Sequence, residues 1–346
     1  MSAPINKQLE IFCGTGGVGK TTLAAARALH LAKAGHKVLL ITIDPAKRLK
    51  QVMGVLEQEA GSVSTVSVAN FFPGSDQFID VILMNPAATL RRVATKKGNP
   101  ESLDNPIVKI LTRPYGGMNE IMAIIELQFQ LDENRYEHII LDTPPGKHFI
   151  DFLGASSKIN AFFDGSFIEL FKLFGNKKDK NPGLFKRLIS SGIKKLLSYL
   201  EKVTGQGFVE DFINAIAGIY QNKDVFLSAL AFERDLKRRE FCNWFLVTSQ
   251  DQIKEQDALE LKSSAGKIMH DDNYLIINRS LSKALAAWQT KPNEPINKLK
   301  EAMLKRQNRL KGMGNESFKA TLEFPEVSAF EPANQVADLV QTWESL

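Results

Sequence analysis

Residues 14 to 22 read Gly-Thr-Gly-Gly-Val-Gly-Lys-Thr-Thr, and their types and spacing suit the gripping of a polyphosphate. Gly14, Gly19, Lys20 and Thr21 fill every fixed position of G-x-x-x-x-G-K-[ST]. Glycines let a backbone bend until successive N–H groups point inward as an anion nest, the part expected here of Gly14, Thr15, Gly16, Gly17, Val18 and Gly19. A following helix would add its positive end at the same place. Lys20 brings a point charge to the β- and γ-phosphates, with a catalytic as well as a binding part. The Thr21 hydroxyl can ligate Mg2+, and Thr22 is placed to contact the α-phosphate.

Two carboxylates stand where such a loop needs them. Asp44 follows the apolar run Lys37–Ile43, in the context IDPAKRL, and Asp142 follows Tyr136–Leu141, in the context LDTPPGKHFIDFL. Ligands of open parallel sheets bind beyond the carboxyl ends of the strands, so both can reach a phosphate site. Asp142 suits the Mg2+ sphere, directly or through water. Asp44 suits orientation or deprotonation of the attacking water. ATP and Mg2+ are therefore the ligands expected.

The elements that must position these groups can be read from the pattern. Leu9–Cys13 is an apolar strand candidate that ends in the glycine cluster. Gly19 to Ala34 reads as an Ala/Leu-rich helix stopped at Gly35, and Lys37–Ile43 as a strand buried on both faces. Together they make one βαβ unit. Tyr136–Leu141 and Tyr274–Asn278 are further strand candidates, with weaker ones at Phe245–Ser249 and Lys319–Phe324. From 151 to 239 the texture turns helical, rich in Phe, Leu, Ile and Lys. The expected fold is α/β: a doubly wound, mostly parallel sheet formed by 1–150 and 240–346, with an inserted helical subdomain at 151–239. Lys291–Met313 reads as a basic helical arm.

Composition sets bounds on function. The 346 residues are 44% hydrophobic and 24% charged, with 44 Lys+Arg against 39 Asp+Glu, ordinary for a globular chain and too mild an excess to signal nucleic acid. Cys13 and Cys242 cannot build a disulfide framework, and Cys13 reads as a buried small hydrophobe. Met1–Glu10 has no leader pattern and no run of about 18 apolar residues occurs, so a cytoplasmic setting is expected.

The glycine loop, IDPAKRL and LDTPPGKHFIDFL together resemble the arsenite-pump and tail-anchored-protein-targeting ATPases, the anion-transporting ATPase family, and within it a bacterial branch. The similarity extends to Val203–Tyr220 (VTGQGFVEDFINAIAGIY). The resemblance implies a dimer, homomeric or with a paralogue, whose two phosphate loops face each other and whose switch segments sense the γ-phosphate. It makes Asp44 the residue that positions the hydrolytic water, Asp142 the start of the second switch, and Asn278 the asparagine that reads adenine.

Three departures qualify this. Thr15 occupies the place of a second loop lysine that reaches across the family's dimer, and a neutral hydroxyl cannot neutralise phosphoryl charge. A paralogue could supply that lysine, Lys47 or Arg48 could substitute for it, or hydrolysis could be slow. The paired cysteines that clamp zinc at the targeting ATPase's dimer interface are missing, as is the pump's cysteine cluster, so neither zinc nor an arsenite site is expected. His30, His36, His138, His148 and His270 show no ligand spacing, so no catalytic metal beyond Mg2+ is indicated.

The insertion carries Phe162, Phe163, Phe167, Phe171 and Phe174, with Lys177, Lys178, Lys180, Lys186, Arg187, Lys194 and Lys195 around them. A client protein or an anionic membrane surface is a possible partner there, beside the plainer reading of core aromatics and a solvated basic face. Three functions stay open: a nucleotide-driven dimeric switch, an ATP-binding scaffold of weak hydrolysis, and a partitioning-type ATPase on membrane or nucleoid. The last is disfavoured by the long insertion and by a C-terminus without a basic amphipathic anchor.

Overall fold

A computed structural model describes residues 4–43, 47–56, 59–96, 119–155, 234–266, 268–289 and 296–346, with isolated positions at 108, 109, 112, 224, 227 and 232. The expectations placed on Asp44, on Val203–Tyr220 and on the Phe- and Lys-rich stretch from 162 to 195 lie outside the described residues. The chain divides into two compact units.

The first unit comprises Met1–Met84, Gln130–Leu153 and Glu233–Leu346. Its sheet has eight strands among the described residues: β1 (Leu9–Gly14), β2 (Val38–Thr42), β3 (Val63–Ser67), β4 (Phe78–Leu83), β5 (His138–Asp142), β6 (Cys242–Ser249), β7 (Tyr274–Ser280) and β8 (Ala320–Pro325). They lie in the order β3-β4-β2-β5-β1-β6-β7-β8, all pairs parallel except β3 with β4. The doubly wound α/β sheet foreseen from the sequence is therefore present. Strands β1, β2 and β5 are buried throughout, which is why each reads as a continuous apolar run. By contrast β3 is an edge strand of mixed exposure, and β4 begins at the exposed Phe78 and is interrupted by Asp80, so neither is one continuous apolar run.

The described helices, in chain order, are α1 (Lys20–Lys33), α2 (Lys47–Met53), α3 (Pro86–Lys96), α4 (Asn119–Glu133), α5 (Lys147–Leu153), α6 (Gln252–Ala265), α7 (Ser282–Ala287), α8 (Ile296–Ser317) and α9 (Pro332–Glu344). Helix α1 is almost wholly buried, hence its run of alanines. It ends in a Schellman motif: the Gly35 amide donates to Ala32 O at 2.9 Å and the His36 amide to Leu31 O at 3.2 Å, with Gly35 at φ 93°. Over the sheet lies an aromatic core in which Phe12 stacks on Phe245 (4.8 Å) and Phe245 on Tyr274 (5.2 Å), with Trp343 of α9 tilted onto Phe324 (4.7 Å). Cys13 is buried as expected, and burial pushes its thiol up to about 12.

A buried ion pair ties α1 to β1. The Arg27 guanidinium donates to both oxygens of Glu10, at 2.8 and 2.9 Å, and to Asn6 Oδ1 at 2.7 Å, while its plane lies 4.8 Å from the Trp343 ring. Asn243 donates to Glu10 Oε1 at 3.3 Å. With Glu10 at 0% and Arg27 at 2% exposure, each charge depends on the other.

The second unit comprises Asn85–Phe129 and Gly154–Phe232. Its described part holds α3 and the first turns of α4, joined where the buried Glu126 accepts from Thr89 Oγ1 at 2.6 Å and pairs with Arg92.

Removing one member of a buried, hydrogen-bonded pair strands the other. E10A is expected to lower unfolding stability by about 3–5 kcal/mol. Urea denaturation followed by tryptophan fluorescence checks this, and a loss below about 1 kcal/mol contradicts it.

Candidate phosphate-binding site

The site is built at the carboxyl ends of the central strands. Gly14 is the last residue of β1 and pairs with Val247, while Phe12 pairs with Asp142 at the end of β5. The chain then turns at Gly17 (φ 79°) and Gly19 (φ 90°), a left-handed region costly to other residues. Space adds a second demand. A Cβ on Gly14 would lie 2.3 Å from the Val247 carbonyl oxygen, and one on Gly19 would lie 2.2 Å from Asn278 Nδ2. The glycines of the motif are required by the neighbouring strands as well as by the turn.

Beyond Gly19, α1 begins with the amide of Leu23 donating to Gly19 O at 3.0 Å. No side chain caps this N-terminus, and the first turn holds no acidic residue. Amides at a helix start have no acceptor within the helix, so they and the positive end of the dipole stand open to an anion. Lys20 is 7% exposed and donates to Thr15 O at 3.0 Å. Thr15 is buried too, and its hydroxyl oxygen has no hydrogen-bond partner among the described residues.

Asp142 is 1% exposed and accepts from Thr21 Oγ1 at 2.8 Å and from Thr42 Oγ1 at 3.0 Å, both through Oδ2. A threonine hydroxyl beside a carboxylate is an oxygen donor set suited to a hard cation. The segment that follows is tied back to the loop: Thr143 donates through amide and hydroxyl to Phe12 O, at 3.2 and 2.8 Å, and the Gly146 amide donates to Gly14 O at 3.2 Å.

A cavity of about 520 Å³ opens over the loop, within the range of small-ligand sites. Of the residues singled out from the sequence, Gly16, Gly17, Gly19, Lys20, Thr21, Thr22 and Asn278 line it. Gly14, Thr15, Val18 and Asp142 sit just behind. Asn278 is engaged with the loop itself, its amide donating to Val18 O at 2.8 Å. The remaining wall comes from Pro145, which lies in the quoted LDTPPGKHFIDFL segment, and from Arg279, Pro325, Glu326, Val327, Gln335 and Leu339, none of which the sequence reading picked out as a site residue. Beyond Pro145, only Arg279 carries a local signal, as the neighbour of Asn278. Its φ of 55° falls where the β7–β8 register shifts, which turns the chain at the cavity rim.

A glycine-rich turn between a central parallel strand and an uncapped helix, with a buried lysine at the helix start, defines a P-loop nucleotide-binding fold. The comparisons narrow the class. A family model described as "Anion-transporting ATPase" matches residues 8–207, more than half of the chain, and the chain belongs to that family. It is similar to two proteins named "Arsenical pump-driving ATPase": 29% identical over 163 residues in Acidiphilium multivorum and 30% over 167 residues in Escherichia coli. Each match takes in 45% of this chain and 26% of the relative. It is also similar to "ATPase GET3" of Malassezia globosa, 27% identical over 206 residues, 59% of this chain and 58% of the relative. The chain thus spans between about a quarter and three fifths of the length of these relatives. No helix among the described residues is long and apolar enough to cross a membrane.

The close approach at Gly19 makes a direct test. G19A is expected to weaken binding of a fluorescent ATP analogue at least about tenfold, because Asn278 must withdraw from Val18 and the φ of 90° becomes strained. Unchanged affinity in a fluorescence titration would contradict the packing described.

Proposed function

We propose that the chain is an Mg2+-dependent ATPase, converting ATP and water to ADP and phosphate, and that it acts as a dimeric nucleotide-driven switch. The observation that carries the reading is the open N-terminus of α1 beneath the glycine loop, with Lys20 folded into it. A neutral substrate would gain little from uncapped amides, an ammonium and a helix dipole converging on one point; a triphosphate gains from all three.

In this reading the amides from Gly16 to Thr22 bind the phosphates, and Lys20 exchanges the Thr15 carbonyl for phosphate oxygens. Thr21 and Asp142 hold Mg2+, whose chemistry when bound is to neutralise charge on the phosphate oxygens. Thr42 keeps the Asp142 carboxylate oriented. Asp44 orients the attacking water, a role that rests on its sequence context and the resemblance. Asn278 reads adenine while bracing the loop through Val18. The bonds from Thr143 and Gly146 to β1 and the loop give occupancy a route into the following switch segment. The insertion at 151–239 engages a protein client or a membrane surface, and the partner in the dimer is a second copy or a paralogue.

One observation favours a second reading, an ATP-binding scaffold that hydrolyses weakly unless a paralogue joins it. Thr15 puts a buried neutral hydroxyl where the family's loop carries its second lysine. A third, partitioning-type reading is tested by co-sedimentation with liposomes and DNA.

The purified chain is expected to bind Mg-ATP and to form a closed dimer with it, read by light scattering. K20A should abolish the dimer and lower turnover by about 10²–10³-fold. Loss of nucleotide affinity in neither K20A nor a magnesium-free buffer would overturn the ATPase reading. Turnover that rises only on mixing with a paralogue supports the scaffold. Brisk turnover as a homodimer, unaffected by substitution of Lys47 and Arg48, rejects it.

A further inference from the structure

At the amino ends of β2 and β5, away from the phosphate loop, three potential ligands converge from distant parts of the chain. His36, Glu137 and His138 each present a donor atom, and these atoms lie within 4.8 Å of one another. They form the one His, Cys, Asp and Glu group of this kind among the described residues. The expectation of no catalytic metal beyond Mg2+ rests on spacing along the sequence, which cannot register a pair of histidines about 100 positions apart.

The geometry is prepared on both sides. His36 follows the Schellman turn of α1, and its amide is already spent on Leu31 O. The Lys37 carbonyl accepts from the amides of Glu137 and His138, at 2.9 and 3.3 Å, so the two segments are held together by backbone. His138 is 7% exposed, and its Nδ1 lies 2.8 Å from Lys7 O. A carbonyl oxygen only accepts, so Nδ1 carries a proton, and in the neutral ring the lone pair is on Nε2. Metal-ligating histidines are oriented in this way by a second hydrogen bond. The His36 and His138 rings meet edge to face with centroids 4.8 Å apart, and His36 Nδ1 lies 2.6 Å from Glu137 Oε2. That contact holds the Glu137 carboxyl below its usual range.

We propose that His36, Glu137 and His138 form a binding site for a divalent transition-metal cation of the zinc class, fastening the turn after α1 to the start of β5. Two imidazoles and a carboxylate are a borderline nitrogen and oxygen set, better suited to Zn2+, Co2+ or Ni2+ than to Mg2+ or Ca2+. Ligand atoms of a tetrahedral zinc site with bonds of 2.0–2.1 Å lie about 3.4 Å apart, so the widest separation must close by up to about 1.4 Å, while the 2.6 Å between His36 Nδ1 and Glu137 Oε2 must widen. His36 and Glu137, with side chains 35% and 52% exposed, have the freedom to close, while the buried His138 stays as the anchor. The fourth position stays open to water. The site does not depend on nucleotide: His138 and Asp142 are the two ends of β5, about 13 Å apart at the rise of a parallel strand.

The test uses the tag-free full chain, stripped with chelator and kept in excess Mg2+ so that the phosphate loop is blocked. Calorimetric titration with Zn2+ is expected to give one site per chain, and Co2+ to give the visible d–d absorption of a four-coordinate nitrogen and oxygen site. H36A, at a half-buried position, and E137Q, at an exposed one, should each weaken Zn2+ binding at least about tenfold. H138Q, which retains an amide donor for Lys7 O, should abolish it. Zn2+ should raise the melting temperature of the wild type and not that of H36A, while Mg-ATP affinity stays equal in both. Absence of saturable Zn2+ binding in the wild type, or binding of unchanged affinity in H36A and E137Q, overturns the proposal.

Discussion

The architecture of the site depends on how closely two strands crowd the phosphate loop. The Val247 carbonyl of β6 stands where a Gly14 side chain would be, and the Asn278 amide of β7 stands where a Gly19 side chain would be. Only a bare backbone can pass between them. Because it does, β1 can hand directly into α1 within a few residues, and the start of that helix arrives above the middle of the sheet with its amides uncovered. Move either strand away and the glycines would lose part of their reason; put a Cβ on either glycine and the strands would have to part.

The polar groups around the loop form one connected set rather than separate contacts. Asp142 joins the helix start through Thr21 and the end of β2 through Thr42, so three elements meet on one buried carboxylate. Lys20 is turned back on the Thr15 carbonyl, which satisfies an ammonium that would otherwise be buried at high cost. A phosphate bound there, as proposed, would compete with that carbonyl and bring more charge. Thr15 itself contributes a carbonyl to the lysine and a buried hydroxyl with no partner among the described residues.

At the other end of the strands a different chemistry collects. The pair of imidazoles with Glu137 shares no residue with the phosphate loop, yet the two are joined by α1 and β5, each of which has one end at either place. The buried Arg27–Glu10 pair lies in the same stretch of α1 and β1, so the helix that presents the phosphate amides is also held by charge along its length.

Much of this could be read before folding, and the reasons are local. A continuous apolar run marks a strand buried on both faces, so β1, β2 and β5 are visible in Leu9–Cys13, Lys37–Ile43 and Tyr136–Leu141. Glycine before a lysine and a threonine marks a turn that only glycine tolerates, and Gly35 marks the end of α1 because a left-handed residue is needed there. Strand β3 left no comparable mark, since an edge strand half open to solvent needs no unbroken run, and the run of β4 is interrupted by Asp80. What the amino-acid order determined alone is therefore the loop, its flanking elements and the types of residue that face a phosphate. Strand order decided the rest. It set Val247 against Gly14, Asn278 against Val18, the chain after β8 around the cavity, and His36 beside His138. Those meetings come from residues roughly 100 to 320 positions apart, brought together by hydrogen bonds between strands whose neighbours no local pattern names.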